Sequence, residues 1–422
     1  MFHASIARLS FISAISVGWL GCAGGVSDPG HSIDAGAADL ATRTDALSSS
    51  PDLSPPPRTK ATAYQINPAH TGAQPGETLT PPLVRLWSVD LGAAASYPLI
   101  ADGGVFVTSR NKGPGYGTAV HALHVRTGQA LWGPISIDGT YYWSNATYDN
   151  GTLFVLNYDG MLRSFAAATG KTNWSVQLPG QYSFSSPPTA SGGMVYVSGA
   201  GSGGTVYGVQ QDSGAVVWTA GVANGSNSSP TVGTAGVFAS YACNQAYGFE
   251  PLAGTQLWHH RGSCSGGGGK TTALAGDRLY TRDFGGNLIL NAVTGQELGS
   301  FSSKTIPALM PPWEFTMVNS QLQATNVSTH DYWLFAGDGQ LSSAPIVANE
   351  HVYVGSTAGN IYALQMKTGQ TVWSDNVGSA IPSPDEQNVS QPLTGMAIAD
   401  HTLIITAGSQ LVAYGPAQVE LR

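Results

Sequence analysis

The chain has 422 residues, of which 54 are glycine, 42% are apolar and only 10% carry a charge. This composition excludes a disordered protein, and so many glycines fit short strands joined by tight turns. A formal net charge of −8, with no basic stripe in the sequence, argues against nucleic-acid binding. At this length the chain forms either two domains or one repeat array.

The first 21 residues have the pattern of an export signal. The apolar run 9–20 is too short to span a membrane. The sequence Trp-Leu-Gly-Cys at 19–22 resembles a bacterial lipobox, although its tryptophan stands where an aliphatic residue is usual. Residues 1–21 are therefore predicted to be a lipoprotein signal peptide and Cys22 a lipid anchor, with plain secretion as the alternative. Ala23, in place of aspartate, resembles lipoproteins that are passed on to the outer membrane.

Residues 22–60 are predicted to be a disordered tether. They are rich in alanine, serine and aspartate and contain the proline triplet 55–57, so they have too little apolar surface to fold alone. Such a segment would hold a folded body just off the membrane surface.

From residue 126 onward one short sequence recurs about every 40–45 residues. It consists of a Thr-Gly or similar pair followed, four positions after the glycine, by tryptophan. The copies lie at residues 126–132, 168–174, 212–218, 252–258 and 367–373, with a copy at 293–299 that lacks the tryptophan. The glycine accepts the positive φ of a tight turn, and the tryptophan on the next strand can wedge between neighbouring sheets. Four strands in each unit of this length are typical of a propeller blade.

The innermost strands give the number of blades. They are predicted to begin near Tyr97, Asn145, Ser186, Ser229, Thr272, Pro312, Ala344 and Gln391. The sixth blade, roughly 311–336, is abnormal because it lacks the Thr-Gly turn and its outer strands look short. The last segment, 398–414, supplies three strands, and residues 85–90 are predicted to complete that blade and close the ring.

The predicted fold is therefore an all-β, eight-bladed β-propeller of four-stranded blades over residues 61–415, with an N-terminal strand in the last blade and a C-terminal tail at 416–422. The tryptophans predicted to serve the repeat are Trp87, Trp132, Trp174, Trp218, Trp258 and Trp373.

The repeat Ala-Leu-x-x-x-Thr-Gly-x-x-x-Trp resembles the tryptophan-docking repeat of pyrroloquinoline-quinone (PQQ) dehydrogenases and their non-catalytic relatives. Residues 67–72 (Asn-Pro-Ala-His-Thr-Gly) are similar to the first segment of many such proteins. Where the dehydrogenase repeat favours aspartate, this chain has other residues, as in the scaffolding branch of outer-membrane assembly lipoproteins (BamB-like). The resemblance implies a scaffold that binds protein partners in the cell envelope, without a cofactor.

The PQQ enzymes hold their quinone between a tryptophan and a vicinal Cys-Cys disulfide, beside Ca²⁺ and a catalytic aspartate. This chain has cysteines only at 22, 243 and 264, so no vicinal pair exists, and no Asp-rich calcium loop is present. We therefore predict no catalytic residue, metal site or cofactor. A PQQ-dependent oxidoreductase or a small-ligand sensor is the alternative.

Aromatic and acidic residues in the loops that enter the innermost strands are predicted to gather on one face as a binding site. They are Tyr97, Tyr141, Tyr142, Trp143, Tyr182, Phe184, Trp313, Glu314, Asp385 and Glu386. Packing of half of the aromatic residues between blades is the alternative. Cys243 and Cys264 are expected to emerge on the same face, as a disulfide if the compartment is oxidising, or as two free thiols.

Overall fold

The repeats form eight separate sheets in a computed structural model, which describes residues 58–223, 225–263 and 269–417. The described residues are all-β and contain no helix. The predicted signal peptide, Cys22 and residues 22–57 of the predicted tether lie outside the described residues.

Two strands precede the first complete blade: β1 (Ala73–Gln74) and β2 (Leu83–Asp90). Each of the next four blades is formed by four consecutive strands. Blade 1 holds β3 (Leu99–Ala101), β4 (Gly104–Arg110), β5 (Thr118–His124) and β6 (Ala130–Ile137). Blade 2 holds β7 (Ser144–Asp149), β8 (Thr152–Asn157), β9 (Met161–Ala166) and β10 (Thr172–Gln177). Blade 3 holds β11 (Thr189–Ser191), β12 (Met194–Gly201), β13 (Gly203–Gln210) and β14 (Val216–Val222). Blade 4 holds β15 (Thr231–Gly233), β16 (Gly236–Tyr241), β17 (Gln245–Phe249) and β18 (Gln256–His260).

The other four blades follow in the same way. Blade 5 holds β19 (Lys270–Ala275), β20 (Arg278–Arg282), β21 (Asn287–Asn291) and β22 (Glu297–Phe301). Blade 6 holds β23 (Ala308–Met310), β24 (Trp313–Val318), β25 (Gln321–Asn326) and β26 (Tyr332–Phe335). Blade 7 holds β27 (Ile346–Ala348), β28 (His351–Gly355), β29 (Asn360–Gln365) and β30 (Thr371–Asn376). Blade 8 holds β31 (Met396–Ala399), β32 (Thr402–Ala407) and β33 (Gln410–Pro416).

The eighth blade is completed from the other end of the chain, which confirms the predicted closure. Strand β2 pairs antiparallel with β33 along its whole length, with Leu83 opposite Pro416 and Asp90 opposite Gln410. Strand β2 is therefore the outermost strand of the last blade, and this pairing removes the free edge of β33.

Six of the eight boundaries between blades share one contact. The indole N–H of a tryptophan on the outermost strand donates to a backbone carbonyl in a turn of the next blade, at 2.7–3.1 Å. The pairs are Trp87–Val125, Trp132–Ala167, Trp174–Gln211, Trp218–Pro251, Trp258–Ala292 and Trp333–Met366. A glycine three residues after each carbonyl lies under the indole. At Gly254, with φ +68°, a Cβ would come within 2.4 Å of Trp218, so glycine is required for its conformation and for its lack of a side chain.

At the boundary between blades 5 and 6, both the tryptophan and the glycine of this contact are replaced. Gly299 occupies the tryptophan position, and His330, with φ +63°, occupies the glycine position in the turn of blade 6. The turn is the same, since His330 N donates to Asn326 O at 2.8 Å as Gly254 N donates to Glu250 O at 3.0 Å. Without an indole above it, the turn no longer needs glycine, and a left-handed histidine is tolerated.

Blade 6 therefore differs from the sequence-based description in three ways. Blade 6 has the repeated turn, although histidine replaces its glycine. Its Trp333, which the prediction did not include among the repeat tryptophans, makes the contact with blade 7. Its innermost strand begins at Ala308 and not near Pro312, because Pro311 and Pro312 form the connection to β24.

Trp373 packs against the next blade, but its indole does not make the hydrogen bond found at six of the boundaries. It packs edge-on against Tyr414 with ring centroids 5.0 Å apart, and no hydrogen bond from its indole occurs within the described ranges. The reason is topological: the third and fourth strands of blade 8 come from opposite ends of the chain, so no turn joins them to receive the indole.

An N-terminal segment, residues 61–74, runs along the inside of the ring. It makes backbone hydrogen bonds with the innermost strands of six blades in turn. The pairs are Ala61–Ile100, Thr62–Tyr148, Pro68–Val232, Ala69–Leu274, Thr71–Leu309 and Gly72–Val347. Its last two residues form β1, which adds a parallel strand to β27 of blade 7. This channel segment covers the inner strand edges and contains the 67–72 sequence that the family resemblance singled out.

The end of the predicted tether also belongs to the ring. Each of its last three residues contacts another described side chain: Arg58–Asp400 at 3.3 Å, Thr59–Glu77 at 2.5 Å and Lys60–Asp102 at 2.5 Å.

Candidate functional site

The connections between strands define two faces of the ring. The loop face carries the connections that lead into each innermost strand, together with those between second and third strands. The turn face carries the others. Tyr141, Tyr142, Tyr182 and Asp385 lie in loop-face connections.

Trp313 and Glu314 lie on the turn face, and not on the loop face where the sequence reasoning placed them. Both residues begin β24, directly after the Pro311–Pro312 connection. The misplacement follows from the start of the innermost strand, which the sequence reasoning set four residues too late. Glu314 accepts a hydrogen bond from Tyr280 and lies 3.8 Å from Arg278.

Three of the predicted loop-face aromatic residues are buried. Tyr97 points into the channel, 2% exposed, and donates to Ala146 O at 2.5 Å. Trp143 and Phe184 pack together in the core between blades 2 and 3. Gly160 allows this packing, since a Cβ there would come within 2.3 Å of Phe184.

The exposed aromatic residues form a tyrosine cluster over blades 1 and 2, defined here as Tyr116, Tyr141, Tyr142 and Tyr158. The Tyr141 and Tyr158 rings lie 4.2 Å apart, and Tyr116 lies 4.9 Å from Tyr142. Arg110 stacks over Tyr142 at 3.8 Å. Tyr116 is 56% exposed and Tyr141 40% exposed, so the cluster presents a rigid aromatic surface to solvent.

Sequence reasoning had not found Tyr116 and Tyr158. Both lie in connections between second and third strands, whereas the prediction concerned only the loops that enter innermost strands. The two kinds of connection share the loop face in any propeller of antiparallel blades. The predicted strand order alone could therefore have placed Tyr116 and Tyr158 on the loop face.

The central channel is filled by side chains of the chain itself. Tyr64 of the channel segment is 1% exposed and lies 5.2 Å from the Tyr97 ring. Burial, followed by the charge of Glu386, raises the pKa of Tyr64 well above its usual value. His70 is fully buried, with Nδ1 2.7 Å from Tyr64 O and Nε2 3.0 Å from Pro230 O. Burial lowers the pKa of His70, although the contacts with the two carbonyl oxygens act to raise it.

A long connection between blades 7 and 8 crosses the loop-face mouth of the channel. We call residues 382–393 the strap. Glu386 of the strap reaches blade 5, Val389 packs against the core of blades 2 and 3, and Leu393 O accepts from Tyr97 N at 2.7 Å. The strap thus contacts blades on both sides of the ring and covers the channel.

A buried ion pair holds the strap. The Arg282 and Glu386 side chains, 3% and 7% exposed, form a direct hydrogen-bonded contact, and Thr271 N donates to the second Glu386 oxygen at 2.6 Å. Burial acts to raise the pKa of Glu386, but the charge of Arg282 and the Thr271 bond outweigh it, and the pKa lies below its usual value. Glu386 is therefore ionised at neutral pH and acts as a structural anchor.

The described residues give no sign of a metal centre or membrane span. No group of three or more His, Cys, Asp or Glu side chains in 58–223, 225–263 and 269–417 is arranged to hold a metal ion. The same ranges hold no helix with the length and apolarity needed to cross a membrane. Cys243 is disulfide-bonded, but Cys264 lies outside the described residues, so their pairing stays a prediction.

Comparison with known proteins places this ring in a family. A family model described as outer membrane protein assembly factor BamB matches residues 116–260, 159–308 and 316–421. The chain belongs to the PQQ-like repeat, BamB-like β-propeller family.

Two curated proteins are similar to this BamB-like propeller. Polyvinylalcohol dehydrogenase from Sphingopyxis sp. (strain 113P3) is 29% identical over 158 residues, 32% of this chain and 24% of that protein. The outer membrane protein assembly factor BamB from Moranella endobia (strain PCIT) is 26% identical over 255 residues, 57% of this chain and 60% of that protein. The matched region thus spans about a quarter of the length of the first relative and three fifths of the length of the second.

Solved structures share the fold. BamB from Moraxella catarrhalis superposes with a TM-score of 0.58 at 18% identity, covering 81% of this chain and 99% of that chain. Quinohemoprotein alcohol dehydrogenase from Comamonas testosteroni superposes with a TM-score of 0.66 at 12% identity, covering 86% and 82%.

The dehydrogenase relatives make PQQ the cofactor to consider, and the residues present do not fit it. The mouth of the channel, over which a planar quinone would lie, is crossed by the strap and packed with Tyr64, Tyr97 and the Arg282–Glu386 pair. The sequence has no vicinal cysteine pair to cover a quinone.

Proposed function

We propose that the BamB-like propeller is a protein-binding scaffold of the bacterial cell envelope, with a role in outer-membrane protein assembly and a lipid anchor at Cys22. The exposed tyrosine cluster on the loop face carries the proposal. Tyrosine offers a large, rigid contact area with a polar end, and it is enriched among the residues that dominate protein interfaces. The role in assembly is supported by the matching family and by the BamB relative.

A PQQ-dependent oxidoreductase is the second candidate, because dehydrogenases are among the relatives and the structural neighbours of this chain. The packed channel argues against it. Purified protein supplied with PQQ, Ca²⁺ and an alcohol is expected to reduce no electron-accepting dye. PQQ-dependent dye reduction would instead favour the enzyme.

The tyrosine cluster is tested by replacing two of its members. The double variant Tyr116→Ala, Tyr141→Ala is expected to reduce recovery of co-purifying envelope proteins at least about tenfold, since truncation of a central aromatic contact costs about 2 kcal/mol or more. Recovery is measured by quantitative mass spectrometry after mild crosslinking and purification from native membranes.

The matched control is Tyr332→Ala. Tyr332 is 69% exposed, but it lies on the outermost strand of blade 6, and its loss should leave the recovered proteins unchanged. Equal recovery from the double variant and the unaltered protein, at equal expression, would place the partner surface elsewhere and overturn the proposed site.

The anchor is tested by Cys22→Ser. Without a thiol to lipidate, the variant is expected to move from the membrane fraction to the soluble fraction, because one acyl-bearing anchor supplies the membrane affinity. Immunoblots of fractionated cells, with the unaltered chain alongside, give the measurement. Retention of the variant in a salt-washed membrane fraction would contradict lipid anchoring at Cys22.

A further inference from the structure

A pocket of ≈ 420 Å³ opens on the loop face between blade 5 and the strap. Lys270, Arg282 and Lys304 line its blade side, and residues 383–387 line the opposite side. It shares no residue with the tyrosine cluster, which lies over blades 1 and 2.

The blade side of the pocket brings like charges together. Lys270 and Arg282 are direct cross-strand partners in β19 and β20, an arrangement that destabilises a sheet unless anions compensate it. Glu386 compensates Arg282. No carboxylate of the described residues lies within ion-pair distance of the Lys270 or Lys304 ammonium group.

Most oxygens of the carboxylates near the pocket already accept hydrogen bonds from internal donors. Glu386 accepts from Arg282 and from Thr271 N, and Asp385 Oδ1 accepts from Gln387 N at 3.2 Å. In contrast, Arg282 Nε is buried and has no hydrogen-bond partner within the described part of the chain. Among the described residues of the pocket, the unpaired cationic donors of Lys270, Lys304 and Arg282 thus outnumber the one unpaired carboxylate oxygen, Asp385 Oδ2, which points to an anionic ligand.

The pocket also has an apolar side. Phe284 is 71% exposed, and the Lys270 ammonium lies 4.8 Å from the centre of its ring. Half-burial and the charge of Arg282 lower the pKa of Lys270, and the charges of Glu386, Asp385 and Asp283 only partly oppose them. An incoming anion would therefore reduce the remaining repulsion. A ligand that carries a carboxylate next to an apolar group would engage the two lysines and cover Phe284.

We propose that this pocket binds an acidic segment of a partner protein, with a glutamate or aspartate carboxylate between Lys270 and Lys304 and a neighbouring apolar side chain over Phe284. The assignment rests on the proposed scaffold function and names the chemistry of its partner. A free small carboxylate is the other source of the same chemistry, and the experiment below separates the two.

The test uses the purified full chain and two acetylated, amidated peptides, Gly-Glu-Leu-Glu-Gly and its isosteric control Gly-Gln-Leu-Gln-Gly. The glutamate peptide is expected to bind at least about tenfold more tightly than the glutamine peptide, and more weakly as NaCl is raised. Lys270→Gln and Lys304→Gln are each expected to weaken binding of the glutamate peptide about tenfold. Isothermal titration calorimetry at low ionic strength gives the dissociation constants.

Lys171→Gln is the matched control, because Lys171 is an exposed lysine next to a turn-face connection; it should leave the dissociation constant unchanged. Thermal unfolding of each variant confirms that the fold is retained, and exposed Lys304 provides a folded variant if Lys270→Gln unfolds. Equal binding of the two peptides, or equal weakening by Lys171→Gln, would overturn the pocket assignment. Citrate binding as tightly as the glutamate peptide would also overturn it, in favour of a small-anion site.

These outcomes are separable from those of the tyrosine experiment. Loss of partners in the Tyr116, Tyr141 double variant together with equal binding of both peptides removes only the pocket assignment. Peptide discrimination with no effect of the tyrosine variants removes only the tyrosine surface.

Discussion

Arg282→Met is expected to lower the free energy of unfolding by about 3–5 kcal/mol, because it leaves the Glu386 carboxylate buried without its counter-charge. The hydrogen bonds from Thr271 and the more distant charge of Lys270 would then be left to stabilise that carboxylate. The double variant Arg282→Met, Glu386→Leu is expected to recover most of the loss, since it removes both charges together. Equilibrium unfolding in urea gives the three free energies.

An exposed ion pair provides the control for this experiment. Lys367 Nζ lies 3.0 Å from a Glu350 carboxylate oxygen, and the two side chains are 64% and 71% exposed, so Lys367→Met should cost no more than about 1 kcal/mol. If Arg282→Met costs as little as Lys367→Met, the strap is not held by the buried pair.

Trp87→Ala is expected to cost about 3–5 kcal/mol, the usual range for removing a buried aromatic side chain. Trp87 is 8% exposed, donates to Val125 O at 2.9 Å and lies over Gly128, where a Cβ would come within 2.7 Å of its ring. Its strand also closes the ring, so the cavity would open at the joint between the two ends of the chain. Urea unfolding monitored by circular dichroism measures the change.

Trp373→Ala is the matched comparison, and it should cost less than half as much. Trp373 is only half-buried, and its indole makes no hydrogen bond within the described residues. Equal losses for the two variants would mean that the indole hydrogen bond and the deeper burial of Trp87 add no stability.

The centre of this ring is closed by two segments of the chain. The channel segment and the strap occupy the channel from its two ends, and Tyr64 of the segment feels the charge of Glu386 of the strap. A propeller filled in this way offers its loop face and rim to partners, which is the physical basis of the scaffold proposal.

The sixth blade shows what a local sequence motif cannot predict. The repeat consists of a glycine followed four positions later by a tryptophan. Gly299 stands at a tryptophan position and His330 at a glycine position, so both break the pattern. The structure shows that these two departures belong to the same boundary, since a missing indole removes the need for glycine beneath it. The motif could not reveal this because its tryptophan contacts the turn of the next blade and not its own.

The sequence by itself determined the number of blades, their four-strand pattern and the closing role of residues 85–90. These features follow from local rules, namely a turn that requires positive φ and a strand that carries an apolar wedge, repeated often enough to be read. Only the tertiary structure decided which aromatic residues are exposed and how the channel is closed. Glu386 meets Arg282 across 104 residues of chain, and His70 meets Pro230 across 160. Such contacts depend on where the ring brings distant loops together, and no local spacing encodes that.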